Sequence, residues 1–128
     1  MAISEIVNYD EGFELELKDP RGNDIGVFLK VRSSECDEAK AVVRRMLNKR
    51  AAAQAKNKPY TVEEAERDEI GRIAACIVDW EWGDNEYIRG EGAPEFNKKN
   101  VNEILTKEGW IFSQVHDFVG DIENFTKR

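Results

Sequence analysis

Between Phe13 and Val31 the apolar residues fall on every second position, and from Cys36 onward they recur every third or fourth. That change of period divides the chain into an extended part and a helical part, because side chains alternate faces along a strand and return about every 3.6 residues on a helix. Phe13, Leu15 and Leu17 alternate with Glu14, Glu16 and Lys18; after DPRGND, Ile25, Val27, Leu29 and Val31 alternate again. Pro20 presets a turn, and Gly22 and Asn23 tolerate positive φ, so residues 12–32 or so read as a β-hairpin with one buried face. A two-stranded ribbon is marginal in water. The hairpin must therefore lie on helices or extend a sheet in another copy.

The helical region is read as about 34–127, within a single domain covering the 128 residues. Ser34 with Asp37 makes a weak variant of the capping box, and Cys36, Ala39, Val43, Met46 and Leu47 then follow at helical spacing, predicting a helix from about Glu35 to Lys56. Lys40, Arg44, Arg45, Lys49 and Arg50 make it basic, and its AAAQA end offers little side chain to bury, so its second half is predicted to project. Asn57-Lys58-Pro59 breaks it, and Thr61 with Glu64 forms a capping box for a second helix that starts at Val62. The second helix opens on carboxylates and lines up Ile70, Ile73, Ala74, Ile77 and Val78. A basic helix followed through a short turn by an acidic one predicts an antiparallel helical hairpin.

From Trp80 to Pro94, Gly83, Gly90, Gly92 and Pro94 impose a loop. Asn97 then caps a short third helix carrying Val101, Ile104 and Leu105. Ile111, Val115, Phe118, Ile122 and Phe125 form the seam of a fourth, bent at Gly120-Asp121. The fold class is thus α+β, mainly α: an N-terminal β-hairpin followed by a four- to five-helix region with a long helical hairpin. Its predicted core contains Ile73, Ile77, Trp80, Ile104, Leu105, Val115, Phe118 and Phe125.

A catalytic pattern is hard to find. The one histidine, His116, has neither a nucleophile nor a base beside it in sequence, and Cys36, Cys76 and His116 are too scattered for zinc. The acidic run Asp79, Glu81, Asp84, Glu86 fails the calcium-loop order, since Gly83 falls at position 5 where an oxygen ligand is needed. Gly90-Glu91-Gly92 lacks the lysine and preceding strand of a phosphate loop. A net charge of -7 disfavours nucleic acid as a partner of the whole molecule, and no stretch approaches the roughly 20 apolar residues of a membrane span. The cysteines read as reduced, buried thiols of a cytosolic protein. No cofactor is implied. The aromatics remain: Trp82, set among glycines, is expected to stay accessible, and with Tyr87, Ile88, Phe96 and Phe112 it forms the candidate partner-binding set.

Four stretches carry a family likeness: GNDIGVFLKVRSSECDEAK, IAACIVDWEWGDN, EFNKKNVNEILTKEGWIFSQV and the closing DIENF. Through them nearly the whole chain resembles the tail assembly chaperones of long-tailed bacteriophages, which join an N-terminal β-hairpin to a helical region. Trp82 and the long charged loop after it depart from the family pattern. The resemblance implies a non-enzymatic protein of the host cytoplasm. Its copies would coat and solubilise the tape measure protein, promote tail tube assembly, and be absent from the mature virion. It further implies a frameshifted longer form that recruits the tail tube protein, with the chain ending at Arg128 corresponding to the short form. Two other readings of the residues stay open. One is a monomeric protein–protein adaptor, the other a small nucleic-acid-binding regulator acting through the basic helix.

Overall fold

The computed structural model describes residues 1–126, so the last position of the helical region as read from sequence lies outside the described residues. The molecule is α+β and mainly α. Strands β1 (Phe13–Lys18), β2 (Asp24–Val31) and β3 (Ile77–Glu81) form an antiparallel sheet in the order β1-β2-β3. Helices α1 (Asp37–Ala55) and α2 (Val62–Ala74) stand between β2 and β3, and α3 (Lys98–Lys107) and α4 (Gly109–Gly120) follow β3. A 3-10 turn, Ile122–Phe125, closes the described chain.

The β1–β2 turn forms as its residues dictate. The Asp19 carboxylate accepts from the amides of Asn23 and Arg21, each at 2.9 Å, and Gly22 takes φ +89°. These amides, that of Asn23 first, hold the Asp19 carboxyl below the usual carboxylate range.

The third strand corrects the sequence reading. The helical pattern of α2 runs on through Ile77 and Val78, yet the helix stops at Ala74 and the chain turns into β3, so the ribbon is completed within the chain. Two physical causes converge. Ile77, Val78 and Trp80 are β-branched or aromatic and fit a pleated sheet, and β2 offers an inner face of Val27, Leu29 and Val31 that a two-stranded ribbon would leave short of cover. Pairing Val31 with Ile77 and Lys30 with Asp79 leaves Val78 as an extra residue. That bulge resets the alternation. Ile77 points inward before it and Trp80 and Trp82 point inward after it, with Asp79 and Glu81 exposed between them.

Trp82 is consequently 7% exposed and belongs to the core, contrary to its expected accessibility. Trp80 is half-buried and packs against the core, its Nε1–H donating to the Pro94 carbonyl at 3.0 Å. The Trp82 Nε1–H has no hydrogen-bond partner among the described residues. Gly83 turns the chain out of the sheet at φ +59°, where a Cβ would sit 3.3 Å from the Gly26 carbonyl oxygen. Asn85 pins this corner by donating to the carbonyls of Ile25 and Trp82 at 2.8 and 2.9 Å.

Helices α2, α3 and α4 cover the inner face of the sheet. Ile73, Ile104, Leu105 and Val115 are buried there as the periodicity predicts, Ile77 is buried from the strand instead, and Phe118 packs at the margin. Thr61 accepts from the Glu64 amide and Asn97 from the Asn100 amide, so both predicted caps are made. The Ser34 cap is not: Cys36 occupies the N-cap of α1, and the Ser33 hydroxyl accepts from Glu35 instead. Gln114 clamps α4 to the sheet edge, accepting from the Lys18 amide at 2.9 Å and donating to the Lys18 carbonyl at 2.8 Å. Beyond Gly120 the chain leaves the helical path, because the Asp121 carboxylate caps the 3-10 turn at Glu123. The predicted seam is therefore broken: Ile122 is 46% exposed and Val119 fills the core position. Phe125 is still brought inward, edge-on to Phe13 and Phe118 at 5.3 and 5.8 Å.

This placement predicts a large difference between two apolar truncations in urea unfolding. Trp82→Ala should lower stability by about 3–5 kcal/mol, whereas Ile122→Ala should stay within about 0.5 kcal/mol of the parent.

Candidate functional site

Helices α1 and α2 form the antiparallel hairpin that their opposite charges predict. A four-residue knot fastens it toward its turn. Lys49 pairs with Asp68 at 3.1 Å, the Tyr60 hydroxyl donates to the same carboxylate, and the Arg50 guanidinium lies 5.3 Å over the Tyr60 ring. The bond to Asp68 comes first among the causes that push the Tyr60 phenol up to about 12. The Tyr60 bond, ahead of Lys49, likewise holds the Asp68 carboxyl below its ordinary value. At the base of the hairpin Arg32 meets Glu38 at 3.1 Å and donates to the Ala75 carbonyl at 3.0 Å.

The principal packing partner of α1 is α2, and only Ala39 of α1 is fully buried. Its Ala41, Val42 and Met46 line open space. A groove of about 1130 Å³ runs between α1, α2 and the start of α3, floored by Val42, Met46, Ile70, Ala74, Phe96 and Val101. Its rim carries both signs: Arg45, Arg67 and Lys98 as cations, Glu63 and Glu66 as carboxylates. An apolar floor with a mixed rim suits an amphipathic helix, whose buried stripe is flanked by polar residues.

The five residues singled out from sequence do not form one surface. Phe96 lies at the groove, edge-on to Trp80 at 5.3 Å. Tyr87 packs on the buried Trp82 at 6.2 Å, and Ile88 is 51% exposed on the loop. Phe112 sits on α4, half-buried and tilted against His116 at 5.8 Å. Of the groove residues, Met46 and Ile70 were legible only as helical core positions, and Val42 was not singled out. Their signal was a surplus: α1 and α2 together carry more apolar residues than one helix–helix seam can cover.

The glycine-rich loop serves its own chain. Glu86 accepts from the amides of Gly90 and Gly92 at 3.0 and 3.2 Å, placing a carboxylate where a phosphate loop would hold its ligand. Among the described residues no group of three His, Cys, Asp or Glu is placed to hold a metal. Cys36 and Cys76, distant in sequence, are neighbours in the core and both are free thiols. The Cys76 Sγ lies 3.7 Å from the Ser33 carbonyl oxygen and 3.5 Å from that of Arg72.

No described helix is long and apolar enough to cross a membrane. Compared with known proteins, the chain matches no family model, no curated protein and no solved structure.

The knot at the hairpin end is open to a direct titration. A phenol raised in the folded state stabilises the fold below its unfolded pKa and loses that contribution as pH rises through the folded value. Ultraviolet absorbance should therefore show Tyr60 ionising near 12, and Asp68→Asn should return its midpoint toward the ordinary phenol value of about 10.

Proposed function

We propose that the protein is a non-catalytic tail assembly chaperone of a long-tailed bacteriophage, which binds and solubilises the tape measure protein and promotes tail tube assembly. The groove between α1, α2 and α3 carries this reading. A tape measure client is a long series of apolar helical turns, and a groove with an apolar floor and a mixed-charge rim takes one such turn series at a time. Each contact is modest, and many copies along one client multiply it by avidity. The four sequence stretches that resemble the family support the same role independently of the groove. The net charge of -7 favours solubility of a coated complex. The protein acts in the host cytoplasm, with other copies of itself as partners on the client, and is left out of the mature virion.

Co-expression with an insoluble tape measure fragment tests this. The fragment should move to the soluble fraction with the parent chain. Met46→Glu and Ile70→Glu, which put charge on the groove floor, should reduce the rescue about tenfold or more while circular dichroism stays unchanged, since burying an unpaired carboxylate costs several kcal/mol. Unchanged solubility of the fragment beside the parent chain defeats the proposal. A defined 1:1 complex without further copies would favour the monomeric adaptor.

A further inference from the structure

The two cysteines, distant in sequence, meet at the base of the α1–α2 hairpin. Cys36 is the N-cap of α1, and Cys76 lies between the end of α2 and the start of β3. The β2–β3 ladder brings them together. Val31 pairs with Ile77, and one step further the Arg32 amide donates to the Cys76 carbonyl at 2.7 Å. A turn over Ser33–Cys36 then folds the chain back, the Cys36 amide donating to the Ser33 carbonyl at 2.9 Å. The Cys76 thiol approaches the same carbonyl oxygen at 3.7 Å. The two residues thus converge on one acceptor, and both are fully buried.

Cysteines that only fill space sit in apolar, neutral surroundings and stay inert. The surroundings here are polarised. Cys36 crowns the N-terminus of a long helix, where backbone N–H groups favour an anion. The Arg32 guanidinium is held beside the junction by the Ala75 carbonyl at 3.0 Å. The Cys76 thiol next to it, ahead of the Ala39 amide and the Arg32 charge, keeps Cys36 below the usual thiol range in spite of burial. Cys36, ahead of burial, keeps Cys76 above that range. One thiol is set to attack and the other to follow. Access comes from α1 itself, which buries Ala39 alone and whose first turn is tied down by polar contacts such as Arg32 to Glu38 at 3.1 Å. A turn held this way opens more readily than the sheet beneath it.

We propose that hydrogen peroxide joins Cys36 to Cys76 in a disulfide that staples the start of α1 to the junction of α2 and β3. When the first turn of α1 opens, the Cys36 thiolate attacks one oxygen of the peroxide. The O–O bond breaks, a sulfenic acid forms, and the departing hydroxide takes up the proton that Cys36 gave up, leaving as water. The Cys76 sulfur then attacks the Cys36 sulfur, the S–O bond breaks, and the second hydroxide leaves as water with the Cys76 proton. Two thiols are oxidised to one disulfide, and one peroxide is reduced to two waters. The staple fixes α1 at Arg32 and Glu38, where the groove begins. Its role toward a client rests on the chaperone reading, since it holds one wall of the groove. Its chemistry does not.

Peroxide treatment of the native full chain, followed by unfolding in urea with an alkylating reagent, tests this without any client. A peptide map should join Cys36 to Cys76 within one chain, the linked peptides lighter by two hydrogens and free of alkyl groups, and dithiothreitol should restore two alkylatable thiols. In Cys76→Ala the reaction should stop at a sulfenic acid on Cys36 that dimedone traps. In Cys36→Ala, Cys76 should react at least about tenfold more slowly than Cys36 does in Cys76→Ala. Circular dichroism checks that both variants fold, and the cross-link in the parent chain decides the matter if either does not. Hydrogen exchange at the Ala39 and Lys40 amides should slow about tenfold or more once the staple has formed.

A parent chain that keeps two free thiols overturns the proposal, as does one that over-oxidises at Cys36 without a cross-link or links its cysteines only between chains. Equal reactivity of the two thiols in the single variants, or a cross-link that leaves exchange in α1 unchanged, overturns it too. Rescue of the tape measure fragment by a reduced chain that forms no cross-link under peroxide would remove the disulfide and leave the chaperone reading. A cross-link in a chain that rescues nothing would do the reverse.

Discussion

Pairing of β2 with β3 joins two segments that lie on either side of the whole α1–α2 hairpin, and the bulge at Val78 decides what that pairing buries. Without the extra residue, Trp80 and Trp82 would face solvent and Asp79 and Glu81 would face α3 and α4. A one-residue slip exchanges the two faces of a strand. With the bulge, Ile77 and Trp82 join Leu17, Leu29, Val101 and Ile104 in one core, and the carboxylates collect on the outer face. The same offset therefore builds the hydrophobic centre and the acidic face opposite it.

Stability is unevenly distributed as a result. The sheet with α2, α3 and α4 holds nearly all the fully buried side chains, whereas α1 buries Ala39 alone and leans on α2. At its far end the hairpin is held by Lys49, Asp68, Tyr60 and the Arg50–Tyr60 stacking, polar contacts at a partly solvated site. Such pairs contribute little individually, so they set the angle of the hairpin more than its stability. A helix held this way keeps its apolar residues available, and both the groove and the exposure of Leu47 follow from it.

The loop between β3 and α3 invites a functional reading because glycines, carboxylates and aromatics crowd there. Its groups satisfy one another. Glu86 caps the amides of Gly90 and Gly92, Trp80 bonds to Pro94, and Phe96 packs on Trp80. The surfaces left unsatisfied lie elsewhere, on α1, along the groove, and on the outer face of the sheet.

The sequence by itself determined the hairpin, the four helices, the caps at Thr61 and Asn97, and most of the core, because each depends on local period or on a residue's own hydrogen bonds. Ile73, Ile104, Leu105 and Val115 were legible for that reason, whereas Phe125 reaches the core through the 3-10 turn after α4. Tertiary structure alone decided the fate of Ile77 to Trp82. That stretch satisfies a helical seam and a strand equally well, and only the unfilled inner face of β2 selects the strand. It also decided the surfaces. Trp82 looked accessible because its neighbours are glycine and carboxylate, and burial depends instead on what lies across the sheet. The groove brings together residues from separate elements, and periodicity within one segment carries no record of which elements meet.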